Sequence, residues 1–136
     1  MRGYLLVEKP FTPGEAVFAE SKSNENNYAV VFEDDTDTGY FYALEINPDT
    51  GEQRILDALH IYNVEEVTEK DKAWGLKIIW SRDWLKCALV INAHCHALFD
   101  FENQGGHNLN EFPPPNTIWT KGERKLTNAL INGIFK

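Results

Sequence analysis

Short runs of β-branched and aromatic residues recur along this chain, each broken by a cluster of Asn, Asp, Gly or Pro, which is the pattern of strands joined by tight turns. The runs fall at 15–20, 28–33, 40–46, 54–62, 75–81, 85–91 and 96–102. DDTDTG separates the second from the third and NPDTGE the third from the fourth. Both have the Asp and Gly that suit a reversal, so consecutive hairpins are expected. In the fourth run Ile55, Asp57, Leu59 and Ile61 alternate with Leu56, Ala58, His60 and Tyr62. The sixth is apolar on both faces, with Leu85, Cys87, Leu89 and Ile91 opposite Ala88 and Val90. Such a strand belongs in the middle of a sheet, covered above and below.

The cover is expected from the C-terminal segment. Thr120 and Glu123 have capping-box spacing, Leu126, Ala129, Leu130 and Ile134 recur at helical period, and Gly133 stands where a helix would stop. The pattern therefore predicts an α+β, mainly β protein. A bent antiparallel sheet or small sandwich carries one helix, which begins near Thr120 and packs through Leu126 and Leu130.

Composition supports a self-sufficient core: 43% of the 136 residues are apolar and 12% are aromatic. No repeat, low-complexity tract or long linker divides the chain, so residues 1–136 are expected to form a single domain. No apolar run reaches the roughly 18 residues of a membrane span, and the stretch from Met1 to Pro10 lacks the long apolar centre of a signal peptide. Cys87 and Cys95 are too few for a disulfide framework. A cytoplasmic protein with free thiols and no membrane association is expected.

Charge narrows the function classes. The net charge of −8 repels phosphate backbones and argues against nucleic acid as a partner. It is also unevenly spread, at −11 over residues 1–69 and +3 over residues 70–136. Glu33, Asp34, Asp35 and Asp37 crowd four carboxylates into five positions beside Tyr40, Phe41 and Tyr42. A turn needs one or two of them. The surplus, next to aromatic side chains able to anchor a contact, points to Asp34, Asp35, Asp37, Tyr40 and Tyr42 as a binding face for a basic protein.

Other clusters carry weaker chemistry. His94, Cys95 and His96, with Cys87 a plausible cross-strand neighbour, are metal-binding residue types, but their spacing matches no zinc motif. Asp34, Thr36, Thr38, Gly39 and Glu45 fall at calcium-loop positions, yet two threonines replace carboxylates and Glu45 lies within a strand run. Hence neither a metal nor another cofactor is expected. Asp57 and Asp100 stand in apolar strands where an unpaired carboxylate would be costly to bury, so they require partners. With His60 and His96 they are candidates for a polar network able to satisfy buried charge or to act as a general base. No nucleophile elbow accompanies them, so no catalytic residue is assigned. The FPPP run from Phe112 to Pro115 reads as an extended strut beside Trp119.

Taken together, VVFEDDTDTGYFYALE at 30–45, ILDALHIYNV at 55–64 and CALVINAHCHALFDFENQGGHNLNEFPPP at 87–115 resemble a family of short bacterial proteins known as domain of unknown function 2251. The likeness covers about residues 28–119. It implies a compact bacterial domain in which Asp34, Asp35, Gly39, Tyr40, Asp57, His60, His96 and Asp100 match the recurring pattern, while His94 and Cys95 depart from it. The family brings no assigned activity. Three readings remain: a non-catalytic, immunity-type protein that occludes a partner, an enzyme using the sheet aspartates and histidines, and a small-ligand or metal-binding module. The acidic charge and the lack of a catalytic signature favour the first.

Overall fold

In a computed structural model, which describes residues 3–69, 72–116 and 118–134, the alternating runs become strands of two antiparallel sheets. In chain order the strands are β1 (Tyr4–Phe11), β2 (Val17–Lys22), β3 (Tyr28–Asp34), β4 (Thr38–Ile46), β5 (Gln53–Asn63), β6 (Trp74–Trp80), β7 (Lys86–Ile91), β8 (His94–Asp100) and β9 (Gly105–Asn108). Sheet A has the order β1-β6-β7-β8-β9 and sheet B the order β2-β3-β4-β5. A 3-10 turn at Val64–Glu66 follows β5, and one helix, α1 (Asn128–Ile134), ends the described chain. The protein is thus mainly β with a C-terminal helix, as the pattern predicts.

The sheets face each other across a common core. Val30, Phe32, Phe41 and Leu59 from sheet B meet Ile78, Trp80, Leu89 and Phe99 from sheet A, and Phe41 stacks on Phe99 at 5.1 Å. Burial of this many aromatic rings is the main driving force for joining the sheets. The sixth predicted run, now β7, is the third strand of five in sheet A. Cys87 and Leu89 enter the sandwich core, while Ala88 lies on the other face with Leu98, Leu126, Cys95 and Ile131.

Two turns form as their chemistry requires. Asp35 Oδ1 accepts from the backbone N–H groups of Asp37 (2.9 Å) and Thr38 (2.8 Å). Asn47 Oδ1 accepts from Asp49 (2.9 Å), while Gly51, at φ +76°, closes the turn onto the Asn47 carbonyl at 2.8 Å.

Four expectations are corrected. First, β1 and β9 carry no strong strand signal: β1 is largely exposed and includes Glu, Lys and Pro, and β9 is GGHN. Second, strict alternation fails in β5, because register shifts opposite Gly39/Tyr40 and Ala43/Leu44 re-aim its side chains. Leu56 and Leu59 share the core, and Ile55 is 63% exposed. Third, the helix does not begin near Thr120. Residues 119–127 are irregular, and the hydroxyl of Thr127 accepts from Leu130 N–H at 3.2 Å, capping the later start. Fourth, Leu126 does pack on sheet A, but from the segment before the helix, and the helical contact is Ile131 rather than Leu130. The side chain of Ile134 lies outside the described residues.

Thr120 turns inward instead of capping. Its hydroxyl donates to Asp57, which is 5% exposed and pairs with Arg124, itself 3% exposed. All five N–H groups of Arg124 have acceptors. Nη1 bonds Asp57 Oδ2 (2.5 Å) and the Gly106 carbonyl (3.0 Å), Nη2 bonds Asp57 Oδ1 (3.2 Å) and the Pro114 carbonyl (3.4 Å), and Nε bonds the Pro113 carbonyl (2.9 Å). Gly106 is required here, since a Cβ would come within 2.8 Å of Asp57 Oδ2 and 3.0 Å of Arg124 Nη1. The proline run is not extended throughout, since the Phe112–Pro113 bond is cis, and the carbonyls of Pro113 and Pro114 receive the buried guanidinium.

Removing one member of a buried, hydrogen-bonded pair leaves an uncompensated charge, so Arg124→Met is expected to cost about 3–5 kcal/mol in denaturant unfolding. Pairing it with Asp57→Asn should recover part of that loss. Leu126→Ala is expected to cost about 2–3 kcal/mol and Leu130→Ala clearly less, because only Leu126 belongs to the cluster under sheet A. Equal losses in the same unfolding assay would show that the helix, rather than the segment before it, supplies the cover.

Candidate functional site

The predicted site residues do not converge on one point. Asp34 is 1% exposed, and its carboxylate accepts from Gly14 N–H (2.8 Å), Thr36 N–H (2.8 Å) and the Tyr62 hydroxyl (2.6 Å). It therefore leaves the candidate surface: three donors occupy it, and it anchors the β3–β4 turn from within. The Tyr62 ring lies against Gly39, where a Cβ would approach within 2.7 Å, which accounts for glycine at that position. Asp35 is exposed and serves the turn, and the backbone N–H groups of Thr38 and Asp37 hold its carboxyl below the usual carboxylate range. Asp37 is exposed, and Tyr40 and Tyr42 are half-buried and stacked at 5.9 Å on the outer face of sheet B.

The four polar-network candidates occupy separate places. Asp57 belongs to the Arg124 pair. Asp100 accepts from Glu102 N–H (3.1 Å), Asn103 N–H (3.0 Å) and Asn103 Nδ2 (2.8 Å), so it caps the turn after β8 rather than meeting a histidine. His96 is half-buried in β8, where burial, with His94 adding, lowers its basicity. Cys87 pairs in register with Phe99 inside the core, whereas Cys95 pairs with Val90 on the opposite face. Cys87 is thus no partner for the HCH run. Both thiols are free, and burial pushes Cys87 well above the usual range and Cys95 up to about 11. Among the described residues no three His, Cys, Asp or Glu side chains could hold a metal ion, and the calcium-loop reading fails because Glu45 lies within β4 and pairs with Arg54 at 2.5 Å.

His60 is the exception, because it lines a depression of about 680 Å³ at one end of sheet B. Tyr40 and Phe112 wall it, meeting the imidazole edge-on at 5.3 and 5.8 Å. Asn110 Nδ2 lies 2.7 Å from His60 Nδ1 and Asn63 Oδ1 lies 2.9 Å from Nε2. Both ring nitrogens are thus engaged by amide side chains. Asn63 Nδ2 in turn donates to Glu66 Oε1 at 2.5 Å. Behind the ring, Asn108 Nδ2 bonds the carbonyls of His60 and Phe112, each at 2.8 Å, tying the 108–112 loop to β5. Held from both sides in this way, the ring of His60 forms a fixed polar wall of the cavity.

A second depression of about 520 Å³ shares Thr38 and Asn63 with the first and is lined by Asp37 and Glu65. Across the two, the charged lining is Asp37, Glu65 and Glu66, with no Lys or Arg. Asn63, Glu66 and Asn110 were invisible as site residues in the sequence, since Asn and Glu in loops read as turn and surface chemistry. The clue lay in three Asn or Glu residues bracketing the aromatic positions around His60.

The family model described as "Uncharacterized protein conserved in bacteria (DUF2251)" matches residues 11–135, a wider span than the sequence blocks suggest. An uncharacterized protein of Haemophilus influenzae is 41% identical over 104 residues, covering 75% of this chain and 62% of that relative, so the chain spans less than two thirds of the relative's length. No solved structure matches. No helix among the described residues is long and apolar enough to cross a membrane.

Burial, with the adjacent Asp34 carboxylate, raises the Tyr62 phenol far above its ordinary value. The group stays protonated in the folded state while the unfolded chain ionises near pH 10, so its contribution is complete below about pH 10 and is lost as pH rises beyond that. Absorbance titration should show a tyrosine that ionises only with unfolding. Tyr62→Phe should flatten the fall in stability above pH 10, and an unchanged slope would assign that fall to other groups.

Proposed function

Since this chain belongs to the bacterial family designated domain of unknown function 2251, whose description assigns no reaction, we propose from its own geometry that it is a non-catalytic binding domain that occludes a basic protein partner. One observation carries the reading: two adjoining depressions at the end of sheet B present Asp37, Glu65 and Glu66 around the aromatic walls Tyr40 and Phe112, without a cation among their lining residues. A field of one sign over a concave aromatic surface raises the local concentration of cationic ligands and speeds their encounter. Tyr and Phe give large contact area for little lost rotamer freedom, which suits them as anchors. The fixed state of His60, with both nitrogens engaged, supports binding over proton transfer. Occlusion of a partner in the manner of an immunity protein is the form of binding that requires no reactive group, only shape and charge.

Asp35→Asn with Asp37→Asn tests the reading without disturbing the turn, because Asn retains the Oδ1 acceptor that Asp35 uses. With a ten-residue lysine peptide as probe, the double variant should bind about tenfold more weakly at low salt and show a shallower salt dependence. A control that removes two charges from the other side of the molecule, Glu8→Gln with Glu123→Gln, should change little. Equal loss in both variants would reduce the effect to bulk charge and defeat the proposal.

A further inference from the structure

The two sheets are covered unequally. The outer face of sheet A is roofed by Leu126 and Ile131, whereas on that of sheet B Ala29, Val31 and Leu44 are buried by their neighbours in the same sheet, with Tyr42 and Ile46 packed against them. Phe18 and Ile55 stand 62% and 63% exposed at its two sides. Between them lies a cavity of about 350 Å³, floored by Val31 and Leu44 and walled by Phe18, Tyr42 and Ile55, with Glu33 as its carboxylate. Register places Glu33 between Phe18 on β2 and Tyr40 on β4, so the carboxylate sits in a row of rings.

Two properties of this surface select its occupant. Among the described residues, neither a cation nor a hydrogen-bond donor pairs with Glu33, although Lys22 and Arg54 belong to the same sheet: Lys22 Nζ is held by the carbonyls of Ser23 and Asn26, and Arg54 by Glu45. Tyr42 stacks on Tyr40 with planes 18° apart and lines this cavity, whereas Tyr40 lines the His60 cavity. A flat aromatic wall, an aliphatic floor and a free carboxylate together match a side chain with an apolar stem and a planar cationic head. We propose that the outer face of sheet B is a docking surface for an arginine of the basic partner, with the stem between the exposed Phe18 and Ile55 and the guanidinium between Tyr42 and Glu33. This rests on the binding reading above and names the side chain it recognises. Lysine fits less well, because its compact, strongly hydrated ammonium neither stacks on a ring nor bonds a carboxylate through two parallel N–H groups.

Two capped peptides, Ser-Arg-Val-Arg-Ser and its lysine counterpart, titrated into the full chain at low salt and followed by backbone amide shifts, decide the matter. The arginine peptide should bind about fivefold tighter and move the amides of Val31, Tyr42 and Ile55, and both Glu33→Gln and Tyr42→Leu should abolish that preference. Asp37→Asn should weaken both peptides alike. Equal affinities, or shifts confined to the Asp37 region, would overturn the arginine site while sparing the acidic cleft. Failure of both peptides to bind would end both readings. Shifts of the same amides with protein concentration alone would show that a second copy covers this face, and would also overturn the proposal.

Discussion

A guanidinium buried at the seam of two sheets governs how this chain closes. Arg124 binds Asp57 of β5, Gly106 of β9 and the carbonyls of Pro113 and Pro114, so one side chain joins sheet B, sheet A and the connecting strut. Burying either charge alone would be prohibitive, and even the pair is tolerable only because every donor finds an acceptor. Prolines suit this role since they lack an N–H that would need its own partner, yet keep an unencumbered carbonyl. From the strut the chain passes back through Phe112, whose carbonyl accepts from His60 N–H at 3.0 Å, and so the same closure that buries Arg124 places Phe112 over the His60 cavity.

The strands were legible where propensity and burial agreed. Val30 to Phe32, Phe41 and Ile78 to Trp80 are β-formers and also core residues, so each announces itself. β1 and β9 hold their places through pairing with β6 and β8, and pairing partners cannot be read from GGHN or from a stretch containing Glu8, Lys9 and Pro10. The helix start was misplaced for a related reason. Thr120 and Glu123 have the spacing of a cap, but the Thr120 hydroxyl is spent on a carboxylate 63 residues earlier, a tertiary demand that overrides local preference.

The candidate site shows the same division. Aspartates in apolar strands announced that partners were needed, and Asp57 and Asp100 found them, one in Arg124 and one in its own turn. Sequence distance concealed which was which, since a carboxylate awaiting a distant arginine and one awaiting the next two N–H groups look identical in a strand pattern. The acidic run at 33–37 likewise separates only in three dimensions: Asp34 turns inward to Tyr62, Asp35 holds the turn, and Glu33 and Asp37 remain for the outside.

The sequence separation of Asp57 and Arg124 also sets a schedule for synthesis. A ribosome releases the chain from its N-terminal end, so β2 to β5 emerge while the arginine is still unmade, and for that interval the Asp57 carboxylate must stay hydrated. Sheet B can gather its hairpins early, as neighbours in the chain do, but its edge at β5 cannot dry until Arg124, 67 residues after Asp57, has been made. Closure therefore waits on that arginine, and the species that precedes it is one whose β5 edge stands open to other chains.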